Sequence, residues 1–261
     1  MRITVLIENT TSSPELVAEH GLSLLVEACG QRLLFDTGAS EAFAENARRL
    51  GVDLGAVDAA VLSHGHYDHG GGISRFLELN PHAPVWVSPH AFDPHFNASG
   101  KDIGLPPELA RHPRVRCTPT GGCELAPGVE LYAAVPGMHP VPDSGMTALV
   151  GNQRVPDDFR HEQYLLVEED GCRYLFSGCS HGGILNIVSR FQPDVLVGGF
   201  HLMKADPVAD APMLEQVARG LEAQNTRYYT GHCTGAGASG FLKQRLRGRL
   251  VLFSTGMVMN A

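Results

Sequence analysis

Four short apolar runs in this chain end the same way, in glycine and then histidine: AAVLSHGHYDHGGG (59–72), YLFSGCSHGG (174–183), VLVGGFHL (195–202) and RYYTGHCTG (227–235). Runs of this length, bounded by turn residues, read as buried strands. A histidine just past one strand is ordinarily a solvated loop residue. Four such ends in one chain constrain the fold more sharply. If the strands are neighbours, their tips gather His64, His66, Asp68, His69, His181, His201 and His232 around one point, and loops on a rigid scaffold are the usual place for a site.

The bulk numbers leave room for that arrangement. A chain of 261 residues with 43% apolar content can bury a sizeable core as one large domain or two small ones. The net charge of −8 offers no general attraction to nucleic acid or anionic lipid. The one basic run, KQRLRGR (243–249), reads as a solvated helix face. No secretory signal and no long apolar segment is visible, so a cytoplasmic protein is the default expectation. The six cysteines form no CxxC pair and no dense framework, which suits a reducing compartment. Thirteen histidines are many for this length and point toward metal chemistry.

Along the chain, residues 2–8, 22–28 and 31–36 read as strands, and 40–50 as a helix with Ser40 as its cap. A strand then delivers His64, and a helix over 71–79 stops at Asn80-Pro81. Strands are expected at PVWVSP and VRCTP, a hairpin at GCELAPGVELYAAV, and a second hairpin at EQYLLVEEDGCRYLFSG. Helix and strand then alternate: GGILNIVSRF, DVLVGGF, a helix over 212–222, TRYYTG, SGFLKQRLRG and a final strand RLVLFSTGMVM. Both halves run strands first, then strand–helix alternation. A two-sheet core flanked by helices fits this better than one parallel sheet. Residues near 89–120 and 136–160 are loop-rich insertions in a single domain over 1–261, long enough to wall a binding site. Phe92, Phe96, Met138 and Phe159 are candidate apolar walls, whereas His90, His95, His139 and His161 read as surface histidines, with His139 able to reach the cleft.

The spacing within HGHYDH has a chemical reason. His64 and His66 are two apart in extended chain and can point the same way, while Asp68 and His69 follow where the chain turns and can face a second ion. Imidazole with carboxylate suits zinc, iron or manganese rather than magnesium or calcium. Gly70, Gly71 and Gly72 allow a tight turn close to such ions. His201 reads as a contact to metal or substrate, and Cys233 as packing behind the site. GAGASG (235–240) reads equally as an anion-facing loop or a flexible one, since no phosphate-loop lysine follows it.

The signature His-x-His-x-Asp-His, together with LLFDTG before it, resembles the metallo-β-lactamase superfamily over almost the whole chain. The resemblance implies an α+β fold, a four-layer αββα sandwich of two mixed sheets with the site at the sheet edges. It implies that His64 and His66 hold a first metal, and that Asp68, His69 and His232 hold a second. It also implies that Asp36 orients ligands from behind. Gly178-Cys179 departs from the superfamily's Gly-Asp, whose carboxylate bridges the metals. Cys179 is therefore either a thiolate ligand or a small buried residue, and His181 becomes the candidate third ligand of the first metal. GCSHGGILNI, GGFHL and GHCTG resemble a narrower subgroup, the 7,8-dihydropterin-6-yl-methyl-4-(β-D-ribofuranosyl)aminobenzene 5′-phosphate synthase-like proteins.

The expectation is a hydrolase with two divalent ions, zinc first and manganese or iron as alternatives. Asp68 would be ligand and proton handler, and His201 would stabilise developing negative charge. The substrate would be a small molecule, a phosphoester or cyclic ester, with no membrane or nucleic-acid partner. The alternatives are a transferase or synthase on a pterin-type phosphate and a non-catalytic metal or redox sensing module.

Overall fold

A computed structural model describes residues 1–133, 139, 141 and 144–260. The chain opens with three antiparallel strands, β1 (Arg2–Ile7), β2 (Ser23–Ala28) and β3 (Gln31–Phe35). Alternation follows: α1 (Ala42–Arg49), β4 (Ala59–Val61), the single turn α2 (Tyr67–Gly70), α3 (Ile73–Leu79), β5 (Val85–Val87), β6 (His95–Phe96) and β7 (Val115–Cys117). The second half repeats the plan. After β8 (Cys123–Ala126), β9 (Val129–Ala133) and a hairpin of β10 (Thr147–Val150) and β11 (Gln153–Pro156) come β12 (Gln163–Glu169) and β13 (Cys172–Ser177). Then α4 (Ile184–Phe191), β14 (Val195–Gly198), α5 (Ala211–Glu222), β15 (Arg227–Thr230), α6 (Ala236–Arg245), β16 (Leu250–Leu252) and β17 (Val258–Asn260) complete the described chain.

Two seven-stranded sheets result, ordered β17-β1-β2-β3-β4-β5-β7 and β16-β15-β14-β13-β12-β9-β8, with a small sheet β11-β10-β6 beside them. In the first, β3, β4, β5 and β7 run parallel. In the second, β13, β14, β15 and β16 do. Each parallel set therefore presents all its C-terminal ends at one edge.

Strand alternation builds the layers. Leu24 and Val26 of β2, with Leu165 and Val167 of β12, fill the space between the sheets. The intervening Leu25 packs outward with Phe43 of α1 and Phe76 of α3. Leu166 packs outward with Ile187 of α4, Leu214 of α5 and Leu242 of α6. Both faces of the strands are buried, so they read as continuous apolar runs. The result is the four-layer αββα sandwich expected from the sequence.

Three local readings change. The final apolar run is two strands rather than one: β16 extends the second sheet, and β17 pairs antiparallel with β1 in the first. The break falls at Gly256, whose φ of +88° ends the extended run. GAGASG is largely the first turns of α6, which begins at Ala236. Ser40 Oγ accepts the Ala42 amide at 3.1 Å, but the N-cap position belongs to Glu41. A strand signal inside 136–160 was also present, since Gly151-Asn152 is a two-residue hairpin turn between β10 and β11.

Phe176 of β13 is fully buried between the sheets, with its ring centroid 5.8 Å from that of Phe35 on β3. Phe176→Ala should cost about 3–5 kcal/mol by emptying that contact, read as a lowered urea midpoint with little change in slope.

Candidate active site

The parallel strands aim their ends at one edge. His64 and His66 follow β4, Cys179 and His181 follow β13, His201 follows β14, and His232 follows β15. The first of these segments is pinned from below. Asp36, just past β3, accepts the Ser63 amide at 2.6 Å, the Ser63 hydroxyl at 2.7 Å and His69 Nδ1 at 2.6 Å. Asp36 sits in the left-handed region at φ +61°, a cost of order 1 kcal/mol held by those three bonds.

The three glycines after the motif serve a different purpose from the one their sequence suggests. None of them has a positive φ. A Cβ on Gly71 would lie 2.2 Å from the Ala39 carbonyl oxygen, and one on Gly72 would lie 2.5 Å from that of Thr37. Gly71 and Gly72 are small so that the helical segment can press against residues 37–39, and Gly70 leaves room for Leu62 and Leu105. Gly178 is similar, since a Cβ there would meet Ser63 Oγ at 2.1 Å.

Hydrogen bonds determine which ring nitrogens face the centre. His69 Nδ1 donates to Asp36, and His232 Nδ1 bonds Asn9 Oδ1 at 3.0 Å. His64 Nδ1 bonds Ser63 Oγ at 2.9 Å. Each of these rings thus turns its Nε2 inward, an orientation set by a partner behind it. His69 Nε2 lies 3.1 Å from His232 Nε2 and 3.2 Å from Cys179 Sγ. Asp68 Oδ2 lies 3.3 Å from His232 Nε2 and 3.9 Å from His69 Nε2. On the other side, His64, Cys179 and His181 bring their donor atoms within 4.8 Å of one another. Among the described residues, His64 Nε2, His66 Nε2, both ring nitrogens of His181 and His201 Nδ1 are buried without a hydrogen-bond partner.

Burial first, then neighbouring imidazoles, hold His64, His66 and His181 well below the ordinary imidazole range, so they present neutral lone pairs. Burial opposes ionisation of Asp68 as well, but His69, His20 and His232 outweigh it and keep the carboxylate charged. Burial disfavours charge on His69 too, yet Asp36 and Asp68 raise it to about 9. Burial pushes the Cys179 thiol well up. Tetrahedral zinc with bonds of 2.0–2.1 Å sets neighbouring donor atoms about 3.3 Å apart, close to the His69, His232, Cys179 and Asp68 spacings. The donor set fits a divalent transition metal.

His201 brings its ring 4.2 Å from that of His181, in a left-handed backbone at φ +52°. Cys233 lies behind, donating to the Cys179 carbonyl at 3.6 Å and accepting the His201 amide at 3.3 Å. Phe159 stacks on His181 at 4.3 Å and 8°. Phe92 instead packs into the core under α1 and α3, and Phe96 lies under the Arg154 guanidinium at 3.8 Å. Met138 lies outside the described residues. His90 is exposed on the surface, and His139 is exposed beside the cleft.

The surface reading of His95 and His161 is overturned. Both are buried with Asp157: His95 Nδ1 is 2.9 Å and His161 Nε2 3.3 Å from Asp157 Oδ2. His161 Nδ1 accepts the Gly65 amide at 2.9 Å, so this cluster buttresses the HGH segment. Sequence reasoning missed it because the three residues come from segments that look like solvated loop. It also missed Glu162, which accepts the amides of His181 at 2.7 Å and Gly182 at 2.8 Å. Glu8 was missed too, and accepts the His232 amide at 2.7 Å. A carboxylate at the end of an apolar strand run, as in TVLIE and HEQYLL, was the available signal. His20, 3.3 Å from Asp68 Oδ2 at the mouth, carried no signal at all.

An αββα sandwich with a His/Cys/Asp cluster at its strand ends has the architecture of a metal-binding hydrolase site. The chain belongs to the metallo-beta-lactamase superfamily, whose model matches residues 17–201. It is 26% identical to the 7,8-dihydropterin-6-methyl-4-(beta-D-ribofuranosyl)-aminobenzene-5'-phosphate synthase of Methanocaldococcus jannaschii, covering 88% of this chain and 86% of that protein. Among solved structures, Tm1679, described as a metal-dependent hydrolase of the beta-lactamase superfamily, superposes with a TM-score of 0.87 at 29% identity, covering 100% of this chain and 99% of that one. Zn(2+)-bound PqqB from Methylobacterium extorquens shares the fold, with a TM-score of 0.62 at 12% identity and full coverage of both chains. Among the described residues, no helix is long and apolar enough to cross a membrane.

Glu162→Ala should strand two buried amides and cost at least about 2 kcal/mol. Zinc affinity, measured by chelator competition, should fall about 10–100-fold. The raised His69 predicts a pH dependence of the metal-free protein. Its stabilisation is full below the ordinary value of 6.5 and is lost as pH rises through about 9. Melting temperatures in chelator across that range should fall, and the fall should shrink in Asp36→Asn, which leaves Asp68 beside the ring.

Proposed function

We propose that the protein is a metal-dependent hydrolase acting on a small phosphoester or cyclic ester in the cytoplasm, as one domain over 1–261. In this reading His64, His66 and His181 hold one divalent ion, and Asp68, His69 and His232 hold a second. Cys179 Sγ stands between the two sets. The observation that carries it is the facing pair His69 Nε2 and His232 Nε2, 3.1 Å apart with both Nδ1 atoms already committed as donors. At that distance either a proton, kept in the metal-free protein by the raised His69, or a cation in its place lies between the two nitrogens.

Bound ions supply an acidified water and polarise the ester oxygen; zinc is the first candidate, then manganese or iron. The chain's own residues do the rest. Asp68 Oδ2 links the centre to His20 Nε2, 3.3 Å away and half exposed, giving a released proton a path to solvent. His201, with Nδ1 unpartnered, faces the site beside His181 and would hold developing negative charge. Asp36, Glu162 and Glu8 orient these groups without touching substrate.

The second reading is a transferase or synthase on a pterin-type phosphate, supported by the similarity to the archaeal synthase along 88% of the chain. Turnover separates the two. With zinc or manganese added, the hydrolase reading expects hydrolysis of a phosphodiester or lactone that His66→Ala lacks. Release of pterin-linked phosphate only in the presence of an acceptor would favour the transferase. A protein that binds iron and turns over nothing would instead fit the sensing module.

Cys179 has its own test. Cobalt-loaded protein should show a thiolate-to-cobalt charge-transfer band in the near ultraviolet, absent in Cys179→Ser. Retention of the band in that variant would remove Cys179 from the ligand set.

A further inference from the structure

Beside the candidate centre, a cavity of about 290 Å³ opens between α4, α5 and the loop after β14. Its inner end is made by His181 and His201. Its walls are mainly Ile184, Leu185, Phe200, Leu202, Met213 and Val217, with His139, Ser180 and Gln216 adding polar groups. No lysine, arginine, aspartate or glutamate is among its described lining residues. Asn186, a buried lining residue, accepts the His139 amide at 2.6 Å and donates to the Gly182 carbonyl at 2.8 Å. The nearest cationic lining, Lys204, belongs to a neighbouring cavity with Asp210.

We infer that this cavity binds an uncharged apolar portion of the substrate, a fused aromatic ring system or an alkyl chain of similar bulk, while the scissile ester lies against His181 and His201. This rests on the hydrolase reading for the position of the ester, but not for the occupant of the cavity. A charged group placed there would lose water and gain no counter-charge. An apolar group loses nothing and is favoured by its buried area. A dry cavity of roughly 150 Å³ holds one benzene ring, so this one has room for about twice that.

The test compares esters with one leaving group and acyl chains of two to ten carbons, on zinc-loaded wild type, Val217→Trp and Leu185→Trp. Neither residue belongs to the proposed centre. In wild type, kcat/KM should rise at least tenfold from the two-carbon to the eight-carbon ester. In the variants that rise, taken relative to each variant's own two-carbon ester, should disappear. A flat wild-type series with real turnover would overturn the inference and leave the hydrolase reading standing. If none of these acyl esters is turned over, binding decides the cavity, and the hydrolase reading is judged by phosphodiester and lactone turnover. The neutral fluorophore N-phenyl-1-naphthylamine should bind wild type and bind at least tenfold more weakly to each variant of unchanged melting temperature. Equal binding to all three, or none to wild type, would overturn the inference. If neither variant folds, the wild-type chain-length series and its probe binding decide alone.

Discussion

Three buried carboxylates hold the candidate centre in shape. Glu8, Asp36 and Glu162 are each nearly inaccessible, and each accepts the backbone amide of a loop that carries inward-facing histidines. A loop at a strand end has its amides unpaired once the ladder stops. Buried amides without partners cost about 1–3 kcal/mol each, and charged acceptors answer them with strong bonds. One side chain thus terminates a strand, satisfies a loop and sets the direction of an imidazole. Asp36 does all three for the first histidine segment.

The same carboxylates shape the electrostatics. Histidines packed this closely and this deep are forced neutral by burial and by one another, as His64, His66 and His181 are. His69 is the exception, because Asp36 and Asp68 flank it. Neutral nitrogens on one side and a negatively flanked ring beside a thiol on the other make a cluster that attracts a cation and cannot satisfy itself. Asp157 extends the pattern outward, binding His95 and His161 so that His161 can take the Gly65 amide.

The replacement of the usual carboxylate by Cys179 follows the same logic. Gly178 brings the β13 loop so near Ser63 that no side chain fits there. The short thiol therefore projects from a fixed backbone to within 3.2 Å of His69 Nε2. Cys233 stands behind it and holds the His201 amide, so the ends of β13, β14 and β15 meet at sulfur.

Much of this was legible in the residue order. Short apolar runs bounded by turn residues mark buried strands, and the repeated strand-glycine-histidine ending marks residues that share one edge of parallel strands. The sandwich and the convergence of His64, His66, Asp68, His69, His181, His201 and His232 follow from those patterns, whereas the pattern left Cys179 open between ligand and buried filler. Long-range partners were decided only by the packing. His95, Asp157 and His161 look like solvated loop because burial depends on what folds over them, which local composition does not record. Gly70, Gly71 and Gly72 look like a turn, but their missing side chains matter because residues 37–39 press against Gly71 and Gly72, and Leu62 and Leu105 against Gly70. The split of the last strand between two sheets, and the apolar cavity beside His201, likewise come from neighbours distant in sequence, since local pattern sets each element while only the assembled layers set what it touches.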